Sequence, residues 1–489
     1  MNLSGATNAT LTLTNVQAAQ QGAYALVVTD NQGMGSTVSS NASFVLVTPP
    51  VITWQSLPTN VICIYGNYVS FAAIATAPGQ TNGFSLHYQW RFNGTNIPNA
   101  NTTSYSFFAN DSSSGIYSLV VTNLTGSASA SWWVAVTNAI NVTNDLLLVY
   151  NSNSTDSSNL CAYYLAHRPM VANANVLGVA CQVGEFFTNS TDWDTHLVTP
   201  VLNWLTNNPT KRPQYVILFY DIPSRLWLPG EFGCGEVLPD YASIYTGSVS
   251  YHLRYSFPSW QPFVNHINQG TVMDCEAYID KLEFFGTNDS PGQLIISASA
   301  GGYGNTNYYF DDSTDPHFGG GQSLGYSAEN GVLASDPTAS IIYTYGDDFY
   351  TNRAIHLLNG TNVAGYLCWG EHSALGQTYA VDTPPTVKWF GNSGWWIIET
   401  IESFNGMRNP CAQGNFIQWY SSNAFGGTNY SNTPIGAVSH TEEPGSPTTC
   451  ENPSIYFGLW AGGKNFAICA WNSRRTPHFL AVGDPFITQ

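Results

Sequence analysis

Three groups of polar residues in this sequence have types and spacings that could do chemistry. In the first group, Glu371 and His372 follow one apolar run, and Ser403 follows the next. A serine beside a histidine and a carboxylate can act as nucleophile, general base and orienting group. Ser403 does not stand in a Gly-x-Ser-x-Gly turn, so the group does not predict an ordinary α/β-hydrolase. The alternative is a histidine that caps a strand end and a serine that lines the core.

The second group, His440, Glu442 and Glu443, follows an apolar run that begins at Gly436. Open α/β sheets bind ligands at the carboxyl ends of their strands. A histidine with two carboxylates could coordinate a metal ion or transfer protons there. The spacing matches no established metal motif, and the alternative is a polar loop made rigid by Pro444.

The third group consists of Asp311, Asp312 and Asp315, which precede a glycine-rich stretch at 319–321. Clustered carboxylates in a loop suit Ca²⁺, which takes six to eight oxygen ligands. The spacing is not that of an EF-hand. Calcium is therefore the one cofactor that the sequence suggests.

Asp221 and Arg225 end another apolar run, which starts at Tyr215. Two interpretations are open for them. They could line the mouth of a site at the strand end, or they could form an internal ion pair.

The elements that must position these residues belong to one region, residues 139–489. Apolar runs at 145–150, 175–180 and 215–220 alternate with helix-like stretches at 158–167 and 193–205. Strands that alternate with helices in this way predict an α/β domain with a largely parallel sheet.

The N-terminal region contains a repeat. The segment Gly22-Ala-Tyr24-Ala-Leu-Val-Val returns as Gly115-Ile-Tyr117-Ser-Leu-Val-Val, so that the two tyrosines are 93 residues apart. Apolar residues alternate in both copies, which is typical of half-buried strands. The pattern around Tyr117, with Trp90 upstream, is similar to the tyrosine corner and buried tryptophan of immunoglobulin-like sandwiches. We therefore expect an all-β module at 49–138 that has no core disulfide.

The first copy of the repeat, residues 1–48, has too few residues before its tyrosine for a complete module. It predicts only the C-terminal strands of a sandwich, with an exposed apolar face and unpaired strand edges. Three explanations are open: a longer chain that supplies the rest, strand addition from another chain, or packing against the neighbouring module. The N-terminus has no basic and apolar leader typical of a signal peptide.

The two regions resemble known groups of proteins. Residues 49–138 resemble the bacterial immunoglobulin-like repeats of large secreted proteins. The larger region resembles an uncharacterised family of secreted bacterial α/β proteins. The similarity is carried, in order, by the segments 149–158, 221–225, 262–270, 279–280, 365–370, 395–404 with Arg408 after it, 436–444 and 481–485.

That α/β family looks like the gingipain and caspase fold, in which a catalytic histidine follows one strand and a catalytic cysteine follows the next. The resemblance implies that His372 occupies the histidine position. The cysteine position would fall at 402–404, where the sequence has Glu-Ser-Phe. Because the thiolate is the nucleophile of such enzymes, a cysteine-peptidase mechanism is not expected.

Composition limits the partners. The chain has 489 residues, a net charge of −18 and only 9% charged residues. Nucleic acid would be repelled by this charge, and no run of 18 apolar residues predicts insertion into a membrane. Of nine cysteines, Cys161, Cys181 and Cys469 lie in apolar runs that favour burial, whereas Cys411 and Cys450 could form a disulfide.

Together these features predict an extracellular or cell-surface protein of a non-catalytic binding or assembly type. Self-association through residues 1–48 is the expected mode of assembly. The alternative is a peptidase-like hydrolase of gingipain- or caspase-like fold that lacks the usual cysteine nucleophile.

Overall fold

The computed structural model divides the chain into two compact units, Met1–Thr137 and Asn138–Gln489. The structure describes residues 3–32, 34–77, 85–137, 139–187, 190–226, 247–258, 260–289, 294–297, 304–311, 322–344, 357, 359–368, 387–401, 405–406, 408, 416–442 and 450–489. None of the described helices is both long and apolar enough to cross a membrane.

The first unit is built from strands, apart from a 3₁₀ turn at Ala18–Gln20. Its strands are β1 (Gly22–Tyr24), β2 (Val27–Thr29), β3 (Ser36–Val38), β4 (Ala42–Phe44), β5 (Val51–Gln55), β6 (Asn60–Cys63), β7 (Tyr68–Thr76), β8 (His87–Phe92), β9 (Thr95–Asn96), β10 (Ser104–Phe108), β11 (Gly115–Asn123) and β12 (Gly126–Val136).

Strands β5 to β12 form a two-sheet sandwich. One sheet has the order β10-β7-β5 and the other β6-β12-β11-β8-β9. Trp90 is fully buried between them, with Phe71 and Trp132 stacked in the same core. The hydroxyl of Tyr117 donates to the carbonyl oxygen of Ser113 at 3.3 Å, which is the hydrogen bond of a tyrosine corner. Cys63 is buried in this core and forms no disulfide with another described cysteine, so aromatic packing holds the two sheets together.

Residues 1–48 do not form a sandwich. Strand β1 pairs only with β4 and β2 only with β3 among the described strands, which gives two separate antiparallel ribbons. The side chains of Leu26, Val27, Val28 and Val38 are exposed. The third explanation, that this segment buries its apolar face against the neighbouring module, is therefore wrong for these four residues.

The second unit alternates strands with helices. Its helices are α1 (Val142–Asp145), α2 (Thr155–His167), α3 (Ser190–Trp193), α4 (Thr199–Asn207), α5 (Val249–Ser256), α6 (Val272–Asp289), α7 (Gln322–Ser335), α8 (Pro453–Ala461) and α9 (Phe466–Ser473), with a π-helical turn at Asp194–Val198 and 3₁₀ turns at Pro169–Val171, Phe416–Tyr420 and Ala424–Gly426.

The strands of this unit are β13 (Leu146–Asn151), β14 (Asn175–Val179), β15 (Phe186–Phe187), β16 (Tyr215–Phe219), β17 (Arg225–Leu226), β18 (Gly247–Ser248), β19 (Phe263–Ile267), β20 (Ile296–Ser297), β21 (Asn307–Asp311), β22 (Ser340–Thr344), β23 (Asn359–Thr361), β24 (Val363–Cys368), β25 (Lys388–Phe390), β26 (Ile397–Thr400), β27 (Gly436–His440), β28 (Phe479–Val482) and β29 (Ile487–Thr488).

Ten of these strands form the main sheet, in the order β14-β13-β16-β19-β28-β27-β26-β24-β21-β22. Neighbouring strands pair in parallel along both halves, whereas β27 and β28 pair antiparallel, and β19 meets β28 at a single residue pair, His266 and Val482. Strands β16, β19, β24 and β27 are buried at every position, because helices cover both faces of such a sheet. The prediction of β-sandwich structure followed by an α/β unit with parallel strands is confirmed at this level.

The cysteines are buried without a disulfide in the described part. Cys161, Cys181 and Cys469 are buried, as the apolar runs predict. Cys450 is buried, and its thiol donates to the carbonyl oxygen of Ile401 at 3.5 Å. The predicted Cys411–Cys450 disulfide stays a prediction, because Cys411 lies outside the described residues.

Candidate functional site

The three predicted groups differ in how much of them the structure describes. Glu371, His372 and Ser403 lie outside the described residues, as do Glu443, Asp312 and Asp315. Asp311 is the last residue of β21, and only its backbone is described. His440 and Glu442 are therefore the predicted site residues whose surroundings can be given.

Glu442 lies just beyond β27 in a buried ionic group. Its Oε2 atom is 3.2 Å from Nδ1 of His478, and its Oε1 atom is 3.8 Å from Nε of Arg225. All three side chains are nearly buried. The backbone just beyond β27 brings Glu442 and His478 together, because the N–H of Thr441 donates to the carbonyl oxygen of His478 at 2.8 Å.

His440 points to a different partner. Its Nε2 atom is 3.1 Å from Oε1 of Glu451, and both side chains are completely buried. His440 and Glu442 are only two residues apart, but their side chains belong to two separate pairs: His440 contacts Glu451, and Glu442 contacts His478.

Glu399 of β26 lies near Glu451 in the same interior. Burial raises the pKa of Glu399 well above its usual range, and the negative charge of Glu451 raises it further, while Arg475 acts in the opposite direction. The protonated form of Glu399 is therefore favoured relative to that of an exposed glutamate. This shared burial of two carboxyl groups and an imidazole is a feature that the sequence did not indicate.

A second buried group surrounds Asp221, which follows β16. Its backbone has φ of +63°, a left-handed conformation that costs a non-glycine residue energy. Asn151 donates to its carbonyl oxygen at 2.8 Å, and Ser154 donates to its Oδ2 atom at 2.7 Å. Arg408 donates to Oδ1 at 3.1 Å. These bonds hold the carboxylate at the end of the strand.

Arg408 joins several strand ends. Besides Asp221, its guanidinium donates to Oδ1 of Asn268 at 2.8 Å and lies 4.0 Å from the ring centre of Tyr220. Its backbone N–H donates to Oε1 of Glu185 at 2.6 Å. The predicted alternative of an Asp221–Arg225 ion pair is wrong, because Asp221 pairs with Arg408 and Arg225 with Glu442.

Gly406 connects the two groups. Its N–H donates to the carbonyl oxygen of His440 at 2.7 Å. A Cβ atom at this position would lie 2.7 Å from the same oxygen, so a glycine is required by the close approach. Gly406 and Arg408 thus contact residues at the ends of β16, β19 and β27.

One serine–histidine contact was missed by the sequence. Oγ of Ser250, in the first turn of α5, is 2.5 Å from Nε2 of His266 in the middle of β19. Both side chains are fully buried, and burial lowers the pKa of His266 to about 3. Because the imidazole resists protonation, it is a poor general base, and the contact is better suited to holding α5 on the sheet. Nothing in the spacing of the two residues marks the pair beforehand.

Comparison with known proteins assigns no family. No protein-family model matches the sequence, and no curated protein matches it. Solved structures of immunoglobulin domains match part of it. The four N-terminal domains of Dscam1 isoform 4.44 are 17% identical, with 28% of this chain and 36% of that chain covered and a TM-score of 0.20.

Two further structures are similar to the same extent. Extracellular domains 3–5 of Drosophila OTK are 17% identical, with 25% of this chain and 42% of that chain covered and a TM-score of 0.19. The three N-terminal domains of the bacteriophage RB49 highly immunogenic outer capsid protein are 19% identical, with 29% and 48% covered and a TM-score of 0.20. The chain spans less than half the length of each of these structures.

Proposed function

We propose that this chain is a non-catalytic binding or assembly protein of the cell exterior, which associates with a second copy of itself through residues 1–48. The proposal keeps the bacterial immunoglobulin-like character of the modules and the gingipain- or caspase-like layout of the α/β unit. The observation that carries it is a contrast in exposure between the two copies of the sequence repeat.

Equivalent side chains of the two copies differ in burial. Leu119 and Val121 of the complete sandwich are 0% exposed, whereas their counterparts Leu26 and Val28 are 42% and 59% exposed. The hydrogen bond of the tyrosine corner is nevertheless present in both: the hydroxyl of Tyr24 donates to the carbonyl oxygen of Gln20, as Tyr117 does to Ser113. The first copy thus has the strand pattern of a core face without the partner sheet that would cover it.

The exposed face is suited to contact with an identical face. Leu26 and Val28 lie on the same face of the ribbon, whereas Val27 and its cross-strand partner Val38 lie on the opposite face. Burying one valine or leucine side chain contributes roughly 1.5–3 kcal/mol, so Leu26 and Val28 together can drive a weak association. Asp30 is the only charged residue in the first 48 positions, although the whole chain carries −18. Two copies can therefore approach here with little charge repulsion, through a two-fold symmetric contact.

The buried acid–base groups favour a non-catalytic protein over the alternative of a peptidase-like hydrolase. His440, Glu442 and Asp221 each have a buried ionic partner, and Ser250 is closed against a neutral histidine. A general acid or base has to reach substrate, and these groups are engaged with one another inside the unit. They are the arrangement expected of a rigid binding or capping domain.

The experiment is a measurement of molar mass by analytical ultracentrifugation across a range of concentrations. We expect the full chain to pass from monomer to dimer, and L26S/V28S to remain a monomer at every concentration. The matched control is I62S/I74S, which removes two equally exposed apolar side chains from the complete sandwich and should dimerise normally. A wild-type chain that stays monomeric, or equal behaviour of the two double variants, would overturn the proposal.

A further inference from the structure

Three metal-ligating side chains converge where α2 packs against α6. His167 is the last residue of α2, and Asp280 and Glu283 lie one turn apart on α6. Nδ1 of His167 is 2.7 Å from Oε2 of Glu283 and 3.7 Å from Oδ1 of Asp280. All three ligand atoms lie within 4.8 Å of one another. This is the one such group of histidine, cysteine and carboxylate side chains found among the described residues.

The spacing of these atoms is close to that of a coordination sphere. Zinc binds imidazole nitrogen and carboxylate oxygen at roughly 2.0–2.2 Å, so ligands of a tetrahedral site lie about 3.3 Å apart. Asp280 is already near this separation from His167, and Glu283 has to withdraw by about half an ångström. Both carboxylates are largely exposed, so their side chains can make this adjustment without disturbing the core.

Tyr163 orients one of these side chains on each helix, Asp280 of α6 and His167 of α2. Its hydroxyl donates to Oδ1 of Asp280 at 2.6 Å, and its ring stacks on the imidazole of His167 with a centroid distance of 3.9 Å. Groups that orient ligands in this way are a regular part of protein metal sites, and here one residue orients a ligand from each helix.

The charge at this position is negative and not balanced. Glu276, Asp280 and Glu283 follow one another at intervals of about one turn on α6, so three carboxyl groups lie along the same face of the helix. Within the described part of the chain, His167 is the only basic side chain that pairs with Asp280 or Glu283. A cation would relieve the repulsion between the carboxylates.

We propose that His167, Asp280 and Glu283 bind a divalent transition-metal ion and thereby fasten the end of α2 to α6. An imidazole ligand beside two carboxylates favours zinc or a similar ion over calcium, which prefers an all-oxygen site. In the metal-free protein Nδ1 donates its proton to Glu283, and when the metal binds Nδ1 this proton passes to Nε2 or to solvent water. Water completes the coordination.

The experiment is calorimetric titration of the full chain with zinc chloride. We expect the wild-type chain to bind one more Zn²⁺ than H167A, and D280N and E283Q to weaken that site at least tenfold. Y163F, which keeps the ring and loses the hydroxyl, should weaken it by a smaller factor. H196A removes an exposed histidine elsewhere in the same unit and is the matched control, with affinity as in the wild type.

The assignment has two clear failures. If the H167A, D280N and E283Q variants all bind the same number of zinc ions with the same affinity as the wild type, there is no site here. If calcium at equal concentration displaces the zinc, the site is not of the transition-metal type. Because Asp280 and Glu283 are exposed, D280N and E283Q give an answer even if H167A folds poorly.

Discussion

Arg408 donates a hydrogen bond to the carboxylate of Asp221 at 3.1 Å, across 187 residues of sequence. Arg225, only four residues from Asp221, pairs with Glu442 instead. Asp221 thus pairs with a distant arginine, and the arginine that is near it in sequence pairs with a distant glutamate. The Arg408–Asp221 hydrogen bond joins the end of β16 to a residue that follows β26, and so connects parts of the α/β unit that are distant in sequence.

This ion pair predicts a large effect on stability. D221N leaves the partly buried Arg408 guanidinium without its carboxylate, and since breaking a fully buried pair costs roughly 3–5 kcal/mol, we expect a loss of about 2–3 kcal/mol here. We expect urea unfolding of the α/β unit, followed by tryptophan fluorescence, to shift accordingly. D156N, at an exposed carboxylate in the first turn of α2, is the control and should cost no more than about 1 kcal/mol. Equal losses would show that Asp221 is not held in a buried pair.

Glu399 predicts a dependence of stability on pH. Its folded-state pKa lies above the unfolded value of 4.5, so the folded state keeps a proton that the unfolded state loses. This contribution to stability is present below pH 4.5 and declines as pH rises toward the folded pKa. E399Q, which cannot ionise, should therefore gain in stability relative to the wild type as pH is raised from 5 to 8. A difference in unfolding free energy that is constant over this range would contradict the prediction.

His266 should remain neutral in acid. Its folded pKa of about 3 lies below the usual 6.5, so the stability associated with it is present above pH 6.5 and is lost as pH falls toward 3. NMR of the imidazole nitrogens, with H266Q to assign the signals, should show no titration of His266 between pH 8 and 5. In urea, the same residue should titrate near 6.5. Titration in the folded chain near 6.5 would mean that the ring is solvated.

The tyrosine corner predicts a smaller effect. Y117F removes the hydroxyl that bonds to Ser113 in a buried position, and a hydrogen bond of this kind contributes about 1 kcal/mol. We expect the thermal unfolding of the sandwich to shift downward by a few degrees. Y24F, the equivalent change in the uncovered first copy, should leave that transition where it is. The prediction fails if both variants behave alike.

The fold could be predicted from the sequence where local pattern decides it. The repeat around Tyr24 and Tyr117, the apolar runs at β13, β14 and β16, and the helix α2 are all periodic signals that survive in the structure. One predicted helix, 193–205, is interrupted: a π-helical turn at Asp194–Val198 separates α3 from α4. The hydrophobic spacing there remains close to helical, which is why the interruption was not visible.

The site could be predicted only in part, because its contacts are long-range. The sequence identified His440 and Glu442 as candidates, yet their partners Glu451 and His478 come from later segments that only the folded sheet brings near. The contact between His167 and Glu283 spans 116 residues and depends on the packing of α2 on α6. The one local signal for it was the placement of Asp280 and Glu283 one helical turn apart.

The most direct test of the proposed assembly is hydrogen–deuterium exchange of the full chain at low and high concentration. Amides at Val27–Thr29 and Ser36–Val38 lie in a two-stranded ribbon with exposed side chains, so they should exchange quickly in the monomer. If two copies cover each other here, the same amides should exchange at least tenfold more slowly at concentrations where the dimer forms. Exchange that is equally fast at both concentrations would contradict the proposal that residues 1–48 are an assembly surface.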